Sequence, residues 1–526
     1  MTHSGLRSGA ARGAACLLLI AAFLLLAPES AYAHAKLLRS EPKAKAKLPQ
    51  PPKVVELWFS EELEAGFNTV EVKDSKGDRF DRGEVTLGEG GKKARVELQD
   101  LPAGTYTVEW KALSSDEHTL KGKFTFSVEA SGAPEAAEAT PQPSPPDGGQ
   151  QQTTPAQPGG QVEAPAAGAA GEEGSPINAS DSLVRWLGYL AMMTLLGGFA
   201  SRLFVLGPAL REAHGDGPEA AGRAASAASG RSVLIFWASI AALILSLLPA
   251  LVFQSAAVHG VGLAEALTPS RLGGVIANTG YGKSWVVQAA GAALLAVVVA
   301  LLGRAVRRDP AGEHKGLWWA GLAASALLML GPSLTGHAAL AAKHFPLATV
   351  SDWLHLVAGG AWVGGLFHLA LTLPTALGRL DAGRRTRALG RVIALFTRVA
   401  LPSVALLSLA GVYNAYTHLG SLRALWATPY GWTLSAKVLL VIAMLVLGAI
   451  NGFRFGPRAR RLNGGGGEAG RADVERGFGR SVKIEAALGV LVLLVTAFLV
   501  FVTPGRNHPA MGDGGGGEPP PMTRAK

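Results

Sequence analysis

Two rhythms of apolar and polar positions divide the chain. Between residues 34 and 130 the two alternate, as in Thr69-Val70-Glu71-Val72-Lys73 and Lys123-Phe124-Thr125-Phe126-Ser127-Val128. Val54 to Phe59 is a β-branched, apolar run. Ala94 to Leu98 and Thr105 to Trp110 repeat the alternation, and Asp74-Ser75-Lys76-Gly77-Asp78 supplies a turn. A period of two broken by turn residues predicts an all-β antiparallel sandwich of about seven strands, an Ig-like or cupredoxin-like Greek key. From Leu183 the rhythm gives way to long apolar runs at 183–206, 233–253, 284–303, 317–334, 350–373, 392–415, 433–455 and 482–502. Each is near the ~20 residues that cross a bilayer as a helix. Residues 181–504 therefore read as an all-α polytopic membrane domain with 8 transmembrane helices. Residues 131–180 are Pro, Ala, Gly, Gln and Glu with almost no large apolar groups. Such a linker cannot offset its ordering entropy and is expected to be disordered, as is the tail at 505–526.

The first 33 residues follow neither rhythm. Arg7 and Arg12 precede an apolar run from Ala14 to Ala27, and Ala31-Tyr32-Ala33 follows. Charge, a short greasy core and small-x-small is the layout of a secretory signal peptide. Cleavage after Ala33 makes His34 the first residue of the mature chain. Its free α-amine and its imidazole can then chelate one metal ion together.

Charge sets the orientation of the spans. The loops 207–231, 304–316, 374–391 and 457–481 hold 18 Lys and Arg, and the alternate loops 254–283, 333–349 and 416–433 hold 4. The positive-inside rule places the first set in the cytoplasm. The sandwich and the C-terminus are then extracytoplasmic, on the side to which a signal peptide delivers the N-terminus. The net charge of +10 lies mostly in these short loops rather than on a soluble face, which argues against nucleic acid as a partner. Cys16, in the signal peptide, is the single cysteine. Disulfides, thiolate metal sites and cysteine nucleophiles are therefore excluded from the mature chain.

Candidate metal chemistry in the sandwich lies at Asp116-Glu117-His118. In an extended segment residues two apart share a side, so Asp116 and His118 can face one ion. With His34 the set is an amine, two imidazoles and a carboxylate, an N/O set that favours Cu(II). No methionine occurs from His34 to Ala130, so a thioether Cu(I) site is not available there. Taken alone, an Asp-x-His loop also reads as a solvated turn. His34-Ala35-x-Leu37-x-x-Ser40-x-Pro42, Val54-Glu56-Leu57-x-Phe59-Ser60, Gly104-x-Tyr106-x-Val108-x-Trp110 and Ser114-Ser115-Asp116-x-His118 followed by Gly122 resemble the CopC family of exported copper-binding sandwiches. The resemblance implies a Cu(II) site on the amine and ring of His34 and the ring of His118, with Asp116 as ligand or close partner. Glu117 and Thr119 stand where members often carry Gly and Pro. The methionine-rich loop of two-site members is missing, so one copper site is expected.

In the membrane domain, His259, His337, His344, His355 and His418 gather on or near the outer side, with His508 in the outer tail. Asp352 and His355 are three apart and share a helix face, close to Gly336-His337. Ionisable residues inside a span line a pathway or pair internally. The candidates for a transport path are His337, Asp352, His355, Lys437 and Glu485, with Met192 and Met193 as thioethers that serve either copper or packing. Lys437 and Glu485 can equally form a buried ion pair that holds helices together. Gly336-His337-Ala338, Asp352-x-x-His355 with Trp362-x-Gly364-Gly365, Tyr430-Gly431-x-x-Leu434-x-x-Lys437 with Asn451, and Glu485 resemble the CopD family of copper-transport membrane proteins, most closely from Thr335 to Ala487. That resemblance implies movement of copper ions across the lipid bilayer.

The expectation is a copper carrier that captures Cu(II) outside and passes it inward. Copper resistance by sequestration or export, a copper-dependent oxidative enzyme, and a membrane sensor are the rival readings. No G-x-x-x-x-G-K-[ST] motif occurs, which argues against ATP hydrolysis in this chain.

Overall fold

A computed structural model describes residues 37–59, 62–114, 119–129, 179–212, 218–310, 312–334, 345–462, 467–500 and 502. The predicted signal peptide, residues 131–178 of the predicted linker, the predicted tail and the predicted site residues His34, Asp116, His118 and His337 lie outside the described residues, and the last two linker positions, Ala179 and Ser180, are helical. The two rhythms become two compact units, one of strands and one of helices.

The first unit has eight described strands: β1 (Leu37–Glu41), β2 (Lys47–Leu48), β3 (Val54–Phe59), β4 (Thr69–Lys73), β5 (Asp81–Gly88), β6 (Lys93–Leu98), β7 (Gly104–Leu113) and β8 (Thr119–Val128). They form two four-stranded sheets, ordered β1-β3-β6-β5 and β2-β8-β7-β4. Alternation predicted β3, β4, β6, β7 and β8. It missed β2, which has only two residues and pairs parallel to β8. It also missed β1 and β5, whose registers shift between Leu37 and Arg39 and between Asp81 and Val85, which breaks the period. Val55, Leu57 and Phe59 of one sheet and Val70, Val72, Val108 and Phe126 of the other share one buried core. Burying each such side chain contributes about 1.5–3 kcal/mol. Tyr106 Oη donates to the Pro102 carbonyl at 2.6 Å, and the Trp110 indole lies flat across Gly122 of β8, where a Cβ would strike the ring.

Asp81 opens β5 with its side chain fully buried. Its carboxylate accepts from the Val72 amide at 2.9 Å and from the Arg79 guanidinium at 2.7 and 3.2 Å. Burial by itself raises its pKa. The Arg79 bonds, then the Val72 amide, outweigh burial and hold the group below the ordinary carboxylate value. A carboxyl held low contributes stability above its unfolded pKa and loses it as pH falls through the folded one. Asp81→Asn is expected to lower stability at neutral pH by about 1–3 kcal/mol and to flatten the loss of stability in acid. Thermal unfolding of parent and variant across the acid range checks this, and identical pH profiles would refute it.

Among the described residues the second unit holds eight helices long and apolar enough to cross a membrane: α1 (Ser180–Glu212), α2 (Glu219–His259), α3 (Gly280–Arg308), α4 (Lys315–Ser333), α5 (Ala348–Leu377), α6 (Ala382–Tyr416), α7 (Pro429–Leu462) and α8 (Glu468–Leu499). All eight apolar runs are accounted for. Short helices at Leu263–Ala266, Pro269–Asn278 and Ala424–Ala427 occupy stretches expected to be loops. Two of them lead into one repeated device. Thr279-Gly280-Tyr281-Gly282 begins α3 and Thr428-Pro429-Tyr430-Gly431 begins α7. In each, the threonine hydroxyl caps the glycine amide, at 2.9 and 3.1 Å.

α1 and α5 form the centre of the bundle. Both are odd-numbered spans and run in the same direction. They meet through glycine: a Cβ on Gly197 would strike the backbone of Gly364 and Gly365, and one on Gly364 would strike the Met193 carbonyl. Small residues let helix backbones approach this closely in a bilayer, where packing rather than hydrophobicity drives association. α7 is the opposite case. Only 6% of its apolar window is fully buried, so much of its surface is exposed or half-buried. Single π-helical turns interrupt α1 at Arg202–Leu206, α5 at Gly360–Gly364 and α7 at Asn451–Phe455. Such bulges often mark functional positions.

Candidate functional site

In the strand unit the described residues next to the predicted ligands lie at one end of the sandwich. Leu37, three residues after His34, pairs with Phe59. Leu113 pairs with Thr119, and the segment carrying Asp116 and His118 connects them. The two sheets meet at this end. Leu63 bridges to Ser114 and donates its amide to the Gly91 carbonyl at 3.0 Å. Phe59 stands edge-on to Trp110 with ring centroids 5.3 Å apart.

In the helical unit Asp352 and His355 sit one turn apart near the start of α5. Asp352 lies near Ser333 at the end of α4 and within electrostatic range of Lys437 of α7. The backbone of Leu407 in α6 lies within hydrogen-bonding reach of His355. Its ring edge approaches Gly411, and its Nδ1 is buried with no hydrogen-bond partner among the described residues. One turn further along α5, Gly359 and Gly360 make room for thioethers. Met193 Sδ lies 3.6 Å from where a Gly359 Cβ would stand, and Met329 Cε lies 3.0 Å from that of Gly360. Met192, Met193 and Met329 all belong to the main apolar core. Lys437 and Glu485 do not form the expected pair. Lys437 faces Asp352, and Glu485 instead accepts from Asn451 Nδ2 at 2.9 Å. Among the described residues no group of three His, Cys, Asp or Glu side chains comes together.

A second polar cluster went unseen in the sequence. His368, fully buried on α5, lies 2.8 Å from Ser232 Oγ by Nε2 and 3.1 Å from Ser201 Oγ by Nδ1. Ser232 spends its one proton on the Ala228 carbonyl at 2.8 Å. Nε2 must therefore be the protonated nitrogen, and Ser201 donates to Nδ1. Arg202 sits beside this cluster, bonded to Ser229 at 3.3 Å and with its guanidinium carbon 5.1 Å from the Trp318 ring centroid. These groups come from three or more separate spans, and serine on an apolar helix carries no periodic signal.

Comparison with known proteins follows the same division. A CopC domain matches residues 37–129, a copper resistance protein D-like N-terminal domain matches 178–345, and copper resistance protein D matches 390–499. The chain is 28% identical over 477 residues to copper transport protein CutJ of Bacillus subtilis (strain 168), spanning 90% of this chain and 75% of that one. It is 37% identical over 105 residues to protein YobA of Escherichia coli (strain K12), spanning 20% of this chain and 85% of YobA. Among solved structures, CopC from Methylosinus trichosporium OB3b is 27% identical and aligns over 19% of this chain and all of that one, with a TM-score of 0.18.

Proposed function

We propose that this chain, which belongs to the family joining a CopC domain to CopD membrane helices, binds copper outside the membrane and carries it inward through the eight-helix bundle. The observation that carries this reading is the ladder on α5. Asp352 and His355 lead to Met193 and Met329 beside Gly359 and Gly360, about 12 Å along the helix. Carboxylate and imidazole suit the harder Cu(II), and thioethers suit Cu(I), so the ladder offers donors to either ion. The free Nδ1 of His355 is the buried nitrogen a metal would take. His337 lies just ahead of α5 in sequence and serves in this reading as the outer approach. Lys437 balances the Asp352 charge when no cation is bound. CutJ, named as a copper transport protein, matches across both units. In this reading the chain is a carrier, not an enzyme.

Capture occurs at His34, Asp116 and His118 in the extracytoplasmic sandwich. The His34 amine and ring and the His118 ring hold one Cu(II), with Asp116 as ligand or close partner. Tethering this unit to the bundle makes the handover intramolecular and raises the effective concentration of loaded donor. His34→Ala, or an N-terminal extension that blocks the amine, is expected to abolish the nitrogen-rich electron paramagnetic resonance signal of the Cu(II)-loaded protein. An unchanged spectrum would falsify the N-terminal site. Cellular copper in a deletion strain separates import from a resistance role: less copper than in the parent supports import, and more supports export.

A further inference from the structure

The face that α7 turns to the bundle carries Lys437, Met444 and Asn451 at intervals of seven, and its other faces expose Val438, Leu439, Ile442, Val446, Ile450 and Phe453. An interval of seven keeps residues close to one face of a helix. Lys437 lies within electrostatic range of Asp352 of α5 near the start of α7, and Asn451 bonds Glu485 of α8 about 21 Å further along. A largely exposed helix thus has two polar points of attachment, an outer latch and an inner one.

The inner latch has an unusual proton count. Glu485 is 2% exposed. Asn451 Nδ2 donates to its Oε2, while Asn451 Oδ1 and the hydroxyl of Ser481, one turn back on α8, have no partner among the described residues. Gly448 leaves the space in which Oε1 lies. Among the described residues no cation pairs with the carboxyl from the helices packed on α8. On α1, Arg202 is committed to Ser229 and Trp318. On α5, His368 is held by two serines. On α6, Arg391 pairs with Glu212, and Arg398 is exposed. On α7, Arg454 is exposed and Arg458 pairs with Asp473. On α8 itself, Arg480 and Lys483 are exposed. A buried carboxylate without a cation is costly. A carboxylic acid fits this site: it accepts from the amide nitrogen and offers its own O–H to the orphaned amide oxygen.

We propose that Glu485 is a proton-binding site whose release of a proton is coupled, through α7, to copper movement. The proposal rests on the reading of the bundle as a copper carrier. With the proton on, Asn451 and Glu485 hold α7 closed. Copper at Asp352 draws that carboxylate from Lys437 and loosens the outer latch. α7 then shifts as one body, Asn451 leaves, and the carboxyl loses one proton to water beside Arg454, Arg480 and Lys483. By linkage, proton binding at Glu485 and copper binding at Asp352 alter one another's free energy equally.

The test uses the full chain in vesicles with a trapped pH dye and added copper, as Cu(II) and, in a second series, as ascorbate-reduced Cu(I). In the parent, copper influx is expected to carry a dye signal and to vary with internal pH. Glu485→Gln copies the protonated group in shape, and both the dye signal and the pH dependence should be lost. Glu485→Asp keeps a titratable carboxyl and should restore both. A Gln variant with the parent's dye signal and pH profile overturns the proposal, as does an Asp variant that restores neither. A parent that moves no copper in either series overturns instead the carrier reading on which this one rests.

Discussion

Gly364→Ala is expected to disassemble the centre of the membrane unit. The added methyl would meet the Met193 carbonyl, and across the seam Gly197 already touches the Gly364 backbone. A backbone cannot swing aside as a side chain can, so α1 and α5 must separate. Overpacking costs about 1–3 kcal/mol where side chains give way, and this site should lie at or above the upper end. Separation also removes Met193 from Gly359 and Ser201 from His368, so copper movement should fall with stability. Gly230→Ala is the matched control. It lies on α2 with nothing within 4 Å of its Cβ position, and helix propensity favours alanine there by about 1 kcal/mol. Thermal loss of monodisperse protein in detergent reads both variants. A Gly364→Ala protein as heat-stable as Gly230→Ala would refute this account of the seam.

Asp352→Asn should remove copper movement and stability together, and the two losses can be separated. The substitution leaves Lys437 facing no carboxylate among the groups that act on it. Leaving Lys437 without that counter-charge lowers stability, by less than the ~3–5 kcal/mol of a fully buried contact pair, since both residues are half-buried. Asp352→Asn combined with Lys437→Met removes both charges and should recover most of the stability, because uncharged groups need no counter-charge. It should not recover copper movement, since the carboxylate ligand is still missing. A double variant that moved copper at the parental rate would show that Asp352 serves only to neutralise Lys437.

These two residues show why the site was only partly legible beforehand. Asp352 and His355 stand three apart on one helix, so their shared face could be read from spacing alone. Lys437 lies far along the chain on another span, and its pairing with Asp352 rather than Glu485 depends on how α7 packs. His368 carries no spacing that points to a partner. Its two serines lie 167 and 136 residues away, and nothing in a local window links them. In the sandwich, β4, β6 and β8 kept a period of two along the sequence, β7 kept it over Thr105 to Trp110, and β3 stood out as an apolar, β-branched run. β5 lost it because a shifted register turns successive side chains to the wrong face.

What the order of residues determined by itself was everything that depends on local repetition: the period that makes strands and the apolar lengths that suit a bilayer. It also limited the kinds of donor present, since Cys16 is the single cysteine in the chain. What only the tertiary structure decided was partnership: Gly197 against Gly364, Lys437 facing Asp352, Asn451 holding Glu485. Periodicity is a property of neighbours in the chain, whereas burying a charge or a backbone is settled by whichever distant helix arrives beside it.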